Sequence, residues 1–382
     1  MVEITADKLW IDGCFDFAHH GHAGAMLQAR RLGNELYVGI HSDADIAANK
    51  GPTVMSLEER VLAVTGCKWS TTPVPGAPYV TQPAVMDQYG CQFVVHGDDI
   101  TTDADGNDCY QEVKDLGRFV VVKRTPNIST TDLVGRMLLL TKTHHIPGFS
   151  SKQPHPLLTE EAIDKFAQYA SAADGKQAHS AVYIYDNSKV KQIVSPSLAI
   201  STSLQNPTQR IFYVDGGFDL FFMGHIECLR LVHEAAQKEN ALIVVAIHDD
   251  YTVNQYKKLN YPIMNLQERA LCVLQCKYVD TVILGAPYVP TKEFLDLLPF
   301  KVTDVFHGPT EVASAGTEDP YKDIKDMGIY RLVGEHKYKD VSTATIVDRV
   351  LKNREVFEAR QRKKGWKSER EKVLELAEKN SR

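Results

Sequence analysis

The sequence predicts an α/β protein of two tandem domains with parallel sheets, joined by a linker and followed by a helical tail. Three observations predict it. The chain repeats itself: "WIDGCFDFAHHGH" (10–22) returns as "YVDGGFDLFFMGH" (213–225), and "ELYVGIHSD" (35–43) returns as "LIVVAIHDD" (242–250). Further blocks follow in the same order. "VMSLEERVLAVTGCKW" (54–69) matches "IMNLQERALCVLQCKY" (263–278), "FVVHG" (93–97) matches "DVFHG" (304–308), and "ISTTDLVGRML" (128–138) matches "VSTATIVDRVL" (341–351). Second, short β-branched runs alternate with helical spacing within each repeat, the pattern of a parallel sheet with crossover helices. Third, 382 residues exceed the usual length of one domain.

Each element has its own reason. In the first repeat, strands at 8–12, 35–41, 92–96 and 118–123 lead into helices at 22–32, 56–66, 110–116 and 130–141. The offsets between matching blocks set domains at 8–145 and 210–355. Between them, residues 146–209 hold the Pro/Ser-rich "IPGFSSKQPHPLL" and "SPSLAISTSLQNPTQ", which read as linker. That linker is partly structured, because 159–173 has helical spacing and "AVYIYDNS" reads as a short strand. Residues 356–382 form a charged helical tail whose apolar positions make no continuous stripe, so it reads as a solvated or packing helix rather than a membrane-surface one.

Composition excludes several classes. A net charge of −6 with hydrophobic content of 43% fits a globular core and not a general nucleic-acid binder. Seven cysteines without framework spacing suit reduced thiols. "MVEITADKLW" lacks a basic segment followed by an apolar one, and no apolar run approaches the roughly 20 residues of a bilayer span. The expectation is a soluble cytoplasmic protein without stable membrane insertion, at most peripheral to the endoplasmic reticulum.

"DGCFDFAHHGHAG" (12–24) is where chemistry gathers. It could be a metal site, a phosphate site or a polar turn. Zinc is disfavoured, since His19 and His22 with Gly21 between them lack the separated ligand pairs of ordinary sites. The turn stands after a strand and at a helix start, where free N–H groups and the dipole attract anions. Gly21 lets backbone approach a ligand, and imidazoles three residues apart share one face.

At this point the residues resemble a known family. "GCFDFAHHGH" matches the Gly-x-Phe-Asp-x-x-His-x-Gly-His signature of the nucleotidylyltransferase superfamily. "RTPNISTTD" (124–132) matches a segment of its cytidylyltransferase branch, with Asn127 standing where glycine is usual. Asn tolerates the left-handed conformation best among the other residues, so the loop geometry should survive. The tandem arrangement resembles most closely the members that act on phosphoethanolamine. The resemblance implies Rossmann-like domains, transfer of the cytidylyl group of CTP to phosphoethanolamine, and Mg²⁺ held with CTP and not by protein ligands alone.

It further implies a site. His19, His22, Lys50 and Arg124 would be catalytic, binding phosphate oxygens as charge builds. Gly13, Cys14, Phe15, Asp16, Gly21, Ser129, Thr130 and Thr131 would hold CTP, the "STTD" run also being a helix cap. His96, Asp98, Asp99 and Tyr79 would take the acceptor, the carboxylates facing its ammonium group. Each has a plainer alternative: a solvated Lys50, an ion-paired Arg124, a turn plus cap at "HGDD", and an Asp16 that either orients a histidine or holds the turn. Trp69 and Tyr110 are equally candidates for the acceptor pocket or the core.

The second repeat departs from the pattern. Phe222 replaces the first histidine, Pro309-Thr310 replaces Asp98-Asp99, Lys337 falls opposite Arg124, and the Lys257–Leu259 region falls opposite Lys50. Phenylalanine cannot donate to a phosphate oxygen, so this repeat is expected to be catalytically silent. Gly217, Phe218, His225, His307, Gly308, Ser342 and Thr343 remain for a second nucleotide pocket. The expected role is that of an internal partner, the two domains pairing as a pseudo-dimer within one chain.

Overall fold

The computed structural model describes residues 6–149, 155–186, 188–309, 319–360 and 362. The chain divides into two compact units, Met1–Leu138 with Ile346–Arg382, and Leu139–Thr345.

The first unit is built on five strands: β1 Ala6–Gly13, β2 Gly33–His41, β3 Thr72–Ala77, β4 Phe93–Gly97 and β5 Phe119–Val122. They pair in the order β3-β2-β1-β4-β5, and every pairing is parallel. The order reverses at β1, because the chain runs outward through β2 and β3 and then returns to the other side. Helix His20–Leu32 makes the first crossover and buries Ala23, Met26, Leu27 and Ala29 on its sheet-facing side. Spacings of three and four put those residues on one stripe. Trp10 on β1 is 1% exposed and lies against Gly39 of β2, where a Cβ would come within 2.5 Å of its ring. Only glycine leaves room for that indole.

β3 was not expected from the sequence. Its "TPVPGA" carries Pro73 and Pro75, which look like loop, yet it pairs with β2 as an edge strand. An edge position can spare the missing N–H groups.

The second unit repeats the plan with β8 Arg210–Gly216, β9 Ala241–Ile247, β10 Thr281–Leu284, β11 Asp304–His307 and β12 Tyr330–Leu332, and adds β6 Ala181–Tyr185 and β7 Val190–Val194. The order is β12-β11-β8-β9-β10-β6-β7, with β7 antiparallel at the edge. The segment 146–209 is therefore more than a partly structured linker. β6 completes the sheet beside β10, and helix Glu160–Tyr169 buries Ala162, Phe166 and Tyr169. Thr159 starts that helix by accepting the Ala162 N–H at 3.2 Å. Of the tail, residues 354–360 are helical and belong with the first unit, while 363–382 lie outside the described residues.

Candidate active site

In an open parallel sheet, ligands bind beyond the carboxyl ends of the strands where the order reverses. A cavity of about 460 Å³ lies at that place in the first unit. The end of β1 contributes Asp12 to Phe15, the end of β4 contributes His96, Gly97 and Asp99, and the loop after β5 contributes Arg124 to the Ser129–Thr131 cap. His19, Gly21, His22 and Lys50 complete the set of sequence candidates on its wall. Asp16, Asp98 and Tyr79 do not line it.

The histidine turn is strained and pinned. Phe15, Phe17 and Ala18 all have positive φ, at 54°, 63° and 39°. Such conformations cost about 1–3 kcal/mol each and persist only where the surroundings hold them. Asp16 supplies the hold. Fully buried, it accepts the Val54 N–H on Oδ2 and the Met55 N–H on Oδ1, each at 2.9 Å. Asp16 thus ties the turn to the loop that carries Lys50, and it is a positioning residue where nucleotide contact was expected. Arg60, absent from the sequence reading, works beside it. Its guanidinium donates to the carbonyls of Cys14 at 2.6 Å and His41 at 2.8 Å and pairs with Asp43 at 2.6 Å. The "LEER" block that recurs as "LQER" was the available signal.

Helix His20–Leu32 opens with an unusual cap. His19 Nδ1 accepts the Gly21 N–H at 3.1 Å, so the neutral ring carries its proton on Nε2. A Cβ on Gly21 would stand 2.9 Å from His19 Nδ1 and 2.8 Å from Ile128 Cγ2. The glycine between the histidines therefore allows the cap to form. The His19 and His22 rings stack with centroids 3.9 Å apart. Burial, with the Arg124 and Lys50 charges, pushes His22 down to about 3. The ring is therefore neutral at pH 7 in this site.

The cations lie around this pair. The Lys50 ammonium stands 5.6 Å from the Tyr79 ring centroid. Arg124 pairs with Asp99 at 3.1 Å, and its backbone N–H donates to Asp98 at 3.3 Å. "HGDD" therefore mainly holds Arg124, so the acceptor role expected of Asp98 does not fit its place. Asn127 has φ 62°, the conformation expected of a glycine substitute. Ser129 Oγ accepts the Asp132 N–H at 3.1 Å, closing the helix cap, and Thr130 Oγ1 donates to the Asp16 carbonyl. Cys14 lines the wall with a thiol raised to about 11 by burial, which leaves it protonated.

One carboxylate was missed. Asp12, 5% exposed, lines the cavity at the end of β1. Three donors hold it: Trp10 Nε1 at 2.8 Å, Thr81 Oγ1 at 2.5 Å and Tyr110 OH at 2.7 Å. Tyr110 is thus a buried support for Asp12, and Trp69 is wholly buried, so neither lines the pocket. The His96 ring packs 4.5 Å from Tyr110, and burial lowers its pKa.

The second unit keeps the supports and alters the working groups. Asp219 accepts the Ile263 and Met264 N–H groups at 2.8 and 2.9 Å as Asp16 does, and Arg269 donates to the Gly217 carbonyl as Arg60 does to Cys14. Phe218 has φ 49°, and Thr343 Oγ1 donates to the Asp219 carbonyl as Thr130 does to Asp16. Ser342 caps its helix by accepting the Thr345 N–H. But Phe222 makes no cap hydrogen bond, and its ring lies 4.0 Å from His225, the place His19 holds over His22. Strand register locates an insertion in the second repeat. β4–β5 pairs His96 with Val121 and β11–β12 pairs His307 with Leu332, while "ISTTD" at 128 matches "VSTAT" at 341. Two extra residues therefore fall between strand and helix in the second repeat, and Arg124 stands opposite Glu335 counted from the strand and Lys337 counted from the helix. His307 ends β11 and Gly308 follows it, where His96 and Gly97 end β4.

The sequence pattern of cytidylyltransferase-like domains matches residues 10–136 and 213–363. The ethanolamine-phosphate cytidylyltransferase of Mus musculus is 41% identical over 372 residues, covering 94% of this chain and 89% of that protein. Its counterpart in Dictyostelium discoideum is 42% identical, with 94% of each covered. The chain belongs to the cytidylyltransferase-like family. Choline-phosphate cytidylyltransferase A of Mus musculus is similar over only 34% of this chain, at 37% identity. That likeness is one repeat long, whereas the ethanolamine-phosphate members of the family match across both.

Proposed function

We propose that this cytidylyltransferase-like protein transfers the cytidylyl group of CTP to phosphoethanolamine, giving CDP-ethanolamine and pyrophosphate. The observation that carries the reaction type is the convergence of His19, His22, Lys50 and Arg124 on one cavity. The acceptor follows from the names of the relatives that span the chain. A phosphate monoester, with second pKa about 6, is largely dianionic at neutral pH. It needs no strong base. Its oxygen attacks the α-phosphorus, the bond from that phosphorus to the β-phosphate oxygen breaks, and pyrophosphate departs with the electron pair. The protein positions the reactants and neutralises their charge.

In this reading His19 Nε2–H and the His22 ring donate to phosphate oxygens, and Lys50 and Arg124 offset the charge of both substrates. Asp12, beside His96, faces the ammonium group. Among the described residues no group of three His, Cys, Asp or Glu side chains offers a cage for a metal. A Mg²⁺ would enter with the triphosphate, where it would neutralise charge. We infer that the second unit is catalytically silent, since Phe222 stands where His19 works. Among the described residues no helix is long and apolar enough to cross a membrane and no cysteine is in a disulfide; a cytoplasmic setting is part of the proposal.

The test is pyrophosphate release from CTP and Mg²⁺ with phosphoethanolamine, phosphocholine and glycerol 3-phosphate in parallel. Release with phosphoethanolamine alone is expected. Release only with another acceptor keeps the chemistry and changes the substrate, and silence with all three overturns the reading.

A further inference from the structure

Arg360 lines the candidate active site, although neither repeat's signature motif contains it. It follows the last matched block of the second repeat, in the stretch that the sequence alone presents as a solvated or packing helix. Residues 354–360 are helical and fall in the same compact unit as the cavity. The stem of Arg360 lies over the loop after Lys50. A Cβ on Gly51, whose φ is +94°, would stand 3.5 Å from Arg360 Cδ and 3.7 Å from its Cγ. The guanidinium Nη1 donates to the Pro52 carbonyl at 2.5 Å. Its charge reaches Cys14 and Asp16, where it opposes the upward push of burial.

What distinguishes Arg360 is its partners. Arg124 is paired with Asp99, Arg349 with Glu59 and Arg354 with Glu358. Among the described residues Arg360 has no carboxylate partner, and its guanidinium donates to one carbonyl, that of Pro52. A guanidinium carries five N–H donors in a planar fork suited to phosphate. Held by its stem and one carbonyl, Arg360 keeps most of that fork free at the cavity wall. The chemistry asks for such a group. A triphosphate and a phosphate dianion must be brought together, the imidazoles are neutral donors, and Arg124 is already paired with Asp99.

We propose that Arg360 binds a phosphate of the bound substrates, so that the active site is completed by chain lying beyond the last block the two repeats share. This rests on the function proposed above. The phosphate belongs either to CTP or to the acceptor, and kinetics separate the two. In the full-length chain, Arg360→Gln, Arg360→Lys and Arg354→Gln are compared with the wild type by pyrophosphate release. CTP is varied at saturating phosphoethanolamine, and then the reverse. Arg360→Gln is expected to raise one KM by about 10-fold or more, the scale of a lost charge-assisted hydrogen bond. The substrate whose KM moves is the one bound.

Arg360→Lys should recover part of the loss, and Arg354→Gln should change nothing. The midpoint of thermal unfolding should stay within a degree or two for all three. If Arg360→Gln keeps both KM values and kcat within twofold of an active wild type, the proposal is overturned. A fall in thermal midpoint without a change in KM assigns Arg360 to packing and overturns it equally. A wild type inactive with every acceptor overturns the underlying function, and this proposal with it.

Discussion

Arg349 grips Glu59 with two parallel bonds, Nη1 to Oε2 at 2.7 Å and Nη2 to Oε1 at 2.8 Å, across 290 residues of chain. Glu59 is also the reciprocal partner of Ser56 in the capping box that starts helix Leu57–Gly66. Arg349 Nη1 further donates to the Val54 carbonyl at 3.3 Å. The stretch 54–59 is therefore fixed at two places: its first amides bind Asp16 under the histidine turn, and its glutamate binds Arg349. Lys50 sits just before that stretch.

Breaking the clamp should be felt in stability and in the site together. The Glu59 side chain is 9% exposed and Arg349 35%, so the pair is partly screened. Arg349→Gln is expected to lower stability by about 1–2 kcal/mol, and Arg349→Gln with Glu59→Gln to show a coupling of about 1 kcal/mol. Urea unfolding of the wild type, both single variants and the double variant gives the coupling directly. A coupling near zero would mean that the pair is ornamental and that the loop is held by Asp16 alone.

The capping role of His19 complicates its removal, and a second substitution resolves it. His19→Ala deletes both the donor toward the cavity and the acceptor for the Gly21 N–H, with a cap loss of about 1 kcal/mol. His19→Asn keeps a cap acceptor, since Asn is among the preferred residues there. Both variants should lose about 10²–10³ in turnover, the scale of one lost donor to a developing anion, while His19→Asn should unfold close to the wild type. Phe222→Leu, at the matching place in the second unit, should leave turnover within a few-fold. Equal losses from His19→Asn and Phe222→Leu would contradict the division of labour between the repeats.

Much of this was legible because repetition filters noise. A motif that recurs about 200 residues later, with its supports and without its histidine, separates scaffold from working group before any coordinates are seen. The position of the turn at a strand end followed from the βα alternation alone. What stayed hidden were contacts that no local pattern encodes. Asp12 sits inside the quoted motif, yet its three donors come from Trp10, Thr81 and Tyr110, and only folding brings them together. Asp16 was open between two roles because the amides it binds lie nearly 40 positions away. β3 was hidden by its prolines, whose cost an edge strand avoids. The counterpart of Arg124 is not legible from spacing, because the strands and the helix block of the two repeats run at different offsets and a two-residue insertion lies between them.

The last prediction concerns Asp215, the counterpart of Asp12. Two of the three donors are gone in the second unit: Tyr213 stands in place of Trp10 and Pro290 in place of Thr81. Tyr321 OH still donates to Oδ1 at 2.6 Å, but neither Asp215 Oδ2 nor Tyr213 OH has a hydrogen-bond partner among the described residues. Burial pushes the carboxyl up to about 7 against the pull of the Tyr321 bond. Because the folded value lies above the ordinary one near 3.8, the folded chain holds a proton that the unfolded chain releases between those two values. The contribution is thus fully present below about pH 4 and is lost as pH rises to about 7. Asp215→Asn stays neutral throughout. Its stability relative to the wild type should therefore climb from pH 4 to pH 7, by a few kcal/mol at most, and level off above. Buried histidines such as His22 and His225, both near 3, act in the opposite direction and favour the fold as pH rises toward 6.5, but they are common to both proteins and cancel in the difference. Urea unfolding of the pair at pH 5, 6, 7 and 8 reads that difference. A gap that does not change with pH would place the Asp215 carboxylate in the ionised form and leave its missing donors without energetic consequence.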